Sequence, residues 1–131
     1  MKKIATILAA AFVLGNVAFA NSDDIPPSYK PSIRQIIVKQ AHAYHIDPMP
    51  LYKVAQCESN LVPTAWNKSD PNGGSKGILQ FNFSTFSHYA DILNIKNKDI
   101  WSISQQIQVA AYMQSIGQLG QWSCAHKLHL V

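Results

Sequence analysis

This sequence has little acid. Seven Asp and Glu stand against eleven Lys and Arg in 131 residues, and Glu58 is the only glutamate. A pair of glutamates is thereby excluded, so any second carboxylate must come from Asp23, Asp24, Asp47, Asp70, Asp91 or Asp99. No apolar run reaches the roughly 20 residues a transmembrane helix needs, so stable membrane insertion is not expected. The basic excess is small and no basic stripe with interleaved aromatics is present, which argues against nucleic acid as a partner. His42 and His45 are three apart, as are His126 and His129. No cysteine or carboxylate constellation completes either pair, so no metal and no cofactor is expected. There is no internal repeat and no low-complexity tract.

Residues 1–20 read as an export signal. Lys2 and Lys3 form a positive start, Ile4 to Leu14 an apolar stretch, and Ala18-Phe19-Ala20 a small-residue cleavage site. No cysteine follows that site, which removes the handle for a lipid anchor. The expected destination is the periplasm or the exterior. The 131 residues less these twenty leave 111, enough for one domain and not two. Nine basic residues then face seven acidic ones, a net charge of +2 that is compatible with an anionic polymer as substrate.

A core this small benefits from a covalent staple. Cys57 and Cys124 are the only cysteines, and export favours a bridge between them, closing 67 residues. Such a loop contributes roughly 4 kcal/mol in the chain-entropy picture. Two free thiols or an intermolecular link are the alternatives. Nothing in the chain demands an oligomer, so a monomer is expected.

Residues 21–31 hold Asp23, Asp24, Pro26, Pro27 and Pro31 and read as an extended lead. One domain is expected over 32–131. Ile33, Ile36, Ile37, Gln40, Ala41 and Tyr44 recur at helical spacing, with His45-Ile46 as the end. Asp47-Pro48 restarts a helix with an acid cap and a proline at its first position. Leu51, Val54, Ala55 and Glu58 share one face of it, which places the Glu58 carboxyl on the apolar side; Leu61, Val62 and Pro63 are expected to stop it. Residues 63–77 form a long loop or a small irregular hairpin turning at Asn72-Gly73. Ser84 is a candidate cap for a helix to about Leu93. Ser102 or Ser104 starts the last helix, with Ile107, Ala110, Ala111 and Ile116 inward and an end near Gly117 or Gly120.

Three segments carry a resemblance. They are Glu58-Ser59-Asn60-Leu61-Val62-Pro63-Thr64-Ala65, then Ser75-Lys76-Gly77-Ile78-Leu79-Gln80-Phe81, then Gln106-Ile107 leading to Ala110-Ala111-Tyr112-Met113. In this order the chain resembles the SLT branch of the goose-type lysozyme and lytic transglycosylase superfamily, over about residues 33–125. Leu61 replaces the usual aromatic, and Ile78-Leu79 replaces Leu-Met. The Cys before Glu58 and the Trp122-Ser123-Cys124 ending look like a compact, disulfide-tied sub-branch. The resemblance implies a lysozyme-like α+β fold, predominantly α-helical, and peptidoglycan glycan strands as partner. Small enzymes of this kind serve secretion, pilus or phage assemblies, which the resemblance adds as candidate partners.

The reaction so implied cleaves the β-1,4 bond between N-acetylmuramic acid and N-acetylglucosamine. Its catalytic residue would be Glu58, acting as general acid and then base to leave a 1,6-anhydro product. A carboxyl can donate near neutral pH only if desolvation raises its pKa, so a raised value is expected for Glu58. Ser59, Ser75, Gly77, Gln80 and Tyr112 are the expected substrate-binding residues. Ser59 otherwise supports the helix end, Gly77 otherwise makes a turn, and Tyr112 otherwise packs in the core. Neither serine is a nucleophile candidate, because no Ser-His-Asp arrangement surrounds them. Asp70 alone among the aspartates has a route to the cleft; there it would activate water and give plain hydrolysis, or else serve as a turn residue before Pro71. A non-catalytic glycan-binding protein on the same fold is the rival from another class. Trp66, Trp101 and Trp122 offer either sugar stacking or core packing.

Overall fold

In the computed structural model residues 31–131 are described; the expected signal over 1–20 and, Pro31 apart, the lead over 21–31 lie outside them. Helix α1, Ile33–Ala43, opens on a capping box. Ser32 Oγ accepts from Gln35 N at 3.3 Å while Gln35 Oε1 accepts from Ser32 N at 2.7 Å. Helix α2, Pro48–Ser59, is capped by Asp47, whose carboxylate accepts from Met49 N at 2.9 Å. It ends before Leu61, because Asn60 turns left-handed at φ +53° and its N–H closes on Gln56 O at 2.9 Å. Glu58 therefore leaves the chain from the last turn of α2.

The irregular stretch becomes a three-stranded antiparallel sheet of β1 (Trp66–Asn67), β2 (Ser75–Lys76) and β3 (Phe81–Asn82). Trp66 pairs with Lys76 and Asn67 with Ser75; Ser75 pairs with Asn82 and Lys76 with Phe81. Asn72, Gly73 and Gly74 turn the β1–β2 connection at φ +60°, +88° and +83°. Two-residue strands are too short for alternation to register, which is why β3 leaves no pattern in the sequence.

Helix α3, Phe83–Ile92, starts two residues earlier than a Ser84 cap suggested: Asn82 is the cap and accepts from Ser84 N at 3.1 Å. Helix α4, Ile103–Ser115, is capped by Ser102 and packs against α1, α2 and α3. Ile107, Val109, Ala110, Ala111 and Met113 are all buried, so α4 is wrapped on most of its circumference. Its small residues let the neighbours approach closely. Ile116, expected inward, is 45% exposed, because the helix has ended and the chain reverses at Gly117 (φ +77°). A 3-10 turn at Leu119–Gln121 leads into α5, Ser123–Lys127, a last helix with no counterpart in the sequence reading.

The fold is α+β and mainly helical. Its core joins Leu51, Val54, Ile107 and Met113 to Phe81, Phe86 and Trp122. Phe81 meets Phe86 and Trp122 edge-on, at centroid distances of 5.8 and 5.3 Å. No helix among the described residues is long and apolar enough to cross a membrane.

Candidate active site

The tight segment Gly77–Gln80, between β2 and β3, is pinned from three directions. From α2, Ser59 Oγ donates to Ile78 O at 2.7 Å. The Trp122 indole donates to Leu79 O at 2.8 Å. From α4, Gln106 Oε1 accepts from Leu79 N at 2.9 Å, and its Nε2 donates to Lys76 O at 3.0 Å and to Ile100 O. Gln106 is 1% exposed, so this amide satisfies backbone groups that water cannot reach. Gly77 holds φ +76°, and a Cβ there would lie 2.7 Å from Gln106 Cδ. The glycine thus makes room for Gln106 rather than for a ligand. Gly77→Ala is expected to cost about 2 to 4 kcal/mol through left-handed strain and overpacking, read as a lowered urea midpoint.

This braced segment forms one wall of a cleft of about 460 Å³. Glu58 from α2 faces Asn67 and Asp70 from the β1 side, Ser75 from β2, Gln80 from the braced segment, and Gln121, Trp122 and Ser123 from the chain entering α5. Gln121 and Trp122 also wall a recess with Thr85, and Thr85 and Gln121 continue to Ser84, His88 and Tyr89. The three recesses share lining residues and so adjoin one another from Glu58 to α3. An apolar recess of about 140 Å³ lies between α1 and α2, around Ile37, Val38 and Met49, but offers no carboxyl.

Burial pushes the Glu58 carboxyl above its ordinary range. The Cys124 N–H, donating to Glu58 Oε1 at 3.3 Å, pulls the other way, and the Asp70 charge pushes up again. Desolvation is the largest influence. The Cys124 amide is held there by the Cys57–Cys124 disulfide, with Cα atoms 6.0 Å apart, so the staple ties α5 to the residue next to Glu58. Among the described residues, Glu58 and Asp70 are the only acids lining the cleft.

The other expected binding residues fare differently. Ser75 lines the cleft and donates to Asp70 Oδ2 at 2.5 Å, which orients that carboxylate. Gln80 lines it too, at φ +49°, and donates both amide hydrogens, to Ala65 O at 3.1 Å and Gly77 O at 2.9 Å. Its Oε1 accepts nothing from the described residues. Both amide hydrogens are thus committed to backbone, and only acceptor capacity is left on the cleft side. Ser59 is absent from the cleft wall and donates to Ile78 O and Ala55 O, the supporting role. Tyr112 is not in that wall either. Because α4 packs between α1 and α3, the Tyr112 ring meets Tyr44 and Tyr89 edge-on, at 6.0 and 6.2 Å.

Asn67 and Gln121 carried no signal in the sequence, whereas Gln106 and Ser123 stood inside the segments that carry the resemblance but had no role assigned to them. The family model of the transglycosylase SLT domain matches residues 35–125. No curated protein and no solved structure gives a match.

Proposed function

The chain belongs to the transglycosylase SLT domain family, and we propose that it is a lytic transglycosylase cleaving the β-1,4 bond between N-acetylmuramic acid and N-acetylglucosamine in peptidoglycan. The observation that carries this reading is a lone glutamate, half-buried with a raised pKa, in a cleft that shares its walls with further recesses along α3.

Glu58 holds its proton until the sugar arrives because burial disfavours its charge. It then donates that proton to the glycosidic oxygen as the C1–O bond breaks. The substrate's own acetamido group supports the positive charge at C1. Glu58, now a carboxylate steadied by the Cys124 N–H, takes the proton of the muramoyl 6-hydroxyl as that oxygen bonds to C1. The products are a free 4-hydroxyl and a 1,6-anhydro end, and Glu58 is protonated again. Gln80 Oε1, with both N–H groups committed to backbone, suits an acetamido N–H.

A second reading draws on Asp70, which shares the cleft. As a base it would activate water and give hydrolysis. Mass spectrometry of digested wall glycan separates the two: anhydro ends for the first, reducing ends for the second. No cleavage at all, with Glu58→Gln changing nothing, would favour a glycan-binding role.

Asp70→Asn sharpens the distinction. Under transglycosylation, cleavage persists. Removing the Asp70 charge also lowers the Glu58 pKa, so the alkaline limb of the kcat/KM profile moves to lower pH. Abolished cleavage with the fold intact would sink that assignment. An enzyme of this kind works outside the cytoplasm, and residues 1–20 are proposed to take it there. A secretion, pilus or phage assembly needing a local gap in the wall is the proposed beneficiary, by family analogy.

A further inference from the structure

Trp66 and Trp101 lie in the open, 49% and 39% exposed, with ring centroids 6.1 Å apart and edge-to-face. The Trp66 indole is fixed in place. Its Nε1 donates to Gly73 O at 3.4 Å, and it lies so close to Gly74 that a Cβ there would come within 2.8 Å of Nε1. Two ammonium groups sit over its ring, Lys68 Nζ at 4.5 Å and Lys76 Nζ at 5.6 Å from the centroid. Neither has a carboxylate partner: the one ion pair among the described residues is Lys98 with Asp91. Asp70 is engaged by Ser75, and Asp99 accepts from Trp101 N at 2.9 Å. The surface thus combines a preset aromatic platform with two unneutralised cations, a combination suited to an anion that also carries apolar bulk.

Its position relates it to the cleft. Strand alternation puts Trp66 and Lys76 on one face of β1–β2 and Asn67 and Ser75 on the other. Asn67 and Ser75 line the Glu58 cleft, so the aromatic surface is the reverse of that wall. β1 is an edge strand, so the way from one face to the other runs round it. Four extended residues span about 13 Å, more than the roughly 10 Å between stacked sheets.

From this we propose that Trp66, Trp101, Lys68 and Lys76 bind the carboxylate-bearing peptide stems of the wall polymer. The protein then acts on peptide-substituted strands in preference to bare glycan. This rests on the reading of the cleft as a peptidoglycan site and adds a substrate preference to it.

The test compares intact wall sacculi with sacculi whose stems have been removed by an amidase. Lys68→Gln with Lys76→Gln, and separately Trp66→Ala, should slow cleavage of intact wall by about three- to tenfold, the scale of a few exposed charge and aromatic contacts. Bare glycan should be cleaved at the unaltered rate, which also shows that the variants fold. An equal fall on both substrates, or no fall on either, overturns the proposal. A parallel pull-down uses the Glu58→Gln chain: it should sediment with intact sacculi, less so once the two lysines are replaced. If the unaltered protein cleaves neither substrate, the enzymatic reading fails, while this pull-down still decides the stem contact. Lysine-dependent binding to phosphatidylglycerol vesicles, with no preference for intact over stripped wall, would instead assign the surface to lipid.

Discussion

Glu58→Gln is expected to lower wall cleavage by about a hundred- to ten-thousand-fold, the range contributed by a general acid–base group. The substitution removes the proton and the charge but keeps a side-chain oxygen for the Cys124 N–H. The variant should therefore fold, and its stability should report on the same carboxyl. Burial raises the Glu58 pKa in the folded chain, so the folded state holds that proton more tightly than the unfolded one. Wild-type stability then falls as pH rises from the ordinary carboxyl range through the raised value. The variant lacks this dependence. It should melt higher than wild type at neutral pH and show no such advantage below the ordinary carboxyl range. Retained cleavage, measured by release of soluble glycan, would remove Glu58 from the mechanism.

The second large effect concerns the staple. Cys57→Ala with Cys124→Ala opens a 67-residue loop and should cost about 2 to 4 kcal/mol in a denaturant titration. More than stability is at stake. The bridge starts at the residue before Glu58 and ends at the residue whose N–H touches its carboxyl. Without it α5 is free to lift, and water reaches the acid. Desolvation is the largest influence on Glu58, so its pKa should drop toward the ordinary value. The alkaline limb of activity should follow it down. A single glutamate makes this directly measurable: carbon-13 labelling of glutamate yields one carboxyl resonance. If that resonance titrates at an unchanged or higher pH in the folded variant, the staple is stabilising only.

Several features were readable before any coordinates. Asp47, and Ser102 of the pair Ser102 and Ser104, cap their helices because a side-chain oxygen before an apolar-periodic run has one obvious partner, the unpaired N–H of the first turn. Glu58 falls in step with Leu51, Val54 and Ala55, and half-burial follows from that phase. Asn82 displaced Ser84 as a cap because both are competent and the sequence does not say where β3 ends. Tyr112 left the cleft for the opposite reason. An aromatic on an inward helix faces whichever neighbours flank it, and here those are Tyr44 and Tyr89.

The roles of Gly77 and Gln106 illustrate what periodicity cannot carry. They are 29 residues apart, and each is explained only by the other: the missing Cβ admits the amide, and the amide supplies the turn's hydrogen bonds. Likewise Gln80 became an acceptor only because Ala65 O and Gly77 O claim its two hydrogens.

The amino-acid sequence on its own determined the family, the helical phase and the identity of the lone acid, because these depend on residue type and on neighbours three or four positions away. Tertiary structure decided which of the expected residues share a cavity with that acid, keeping Asp70, Ser75 and Gln80 and leaving out Ser59, Gly77 and Tyr112. It brought Asp70 from the β1–β2 connection, Ser75 from β2, and Gln121 to Ser123 from beside the disulfide, across tens of residues of chain. Proton affinity depends on what surrounds a carboxyl in space, and that surrounding exists only once the chain has closed around it.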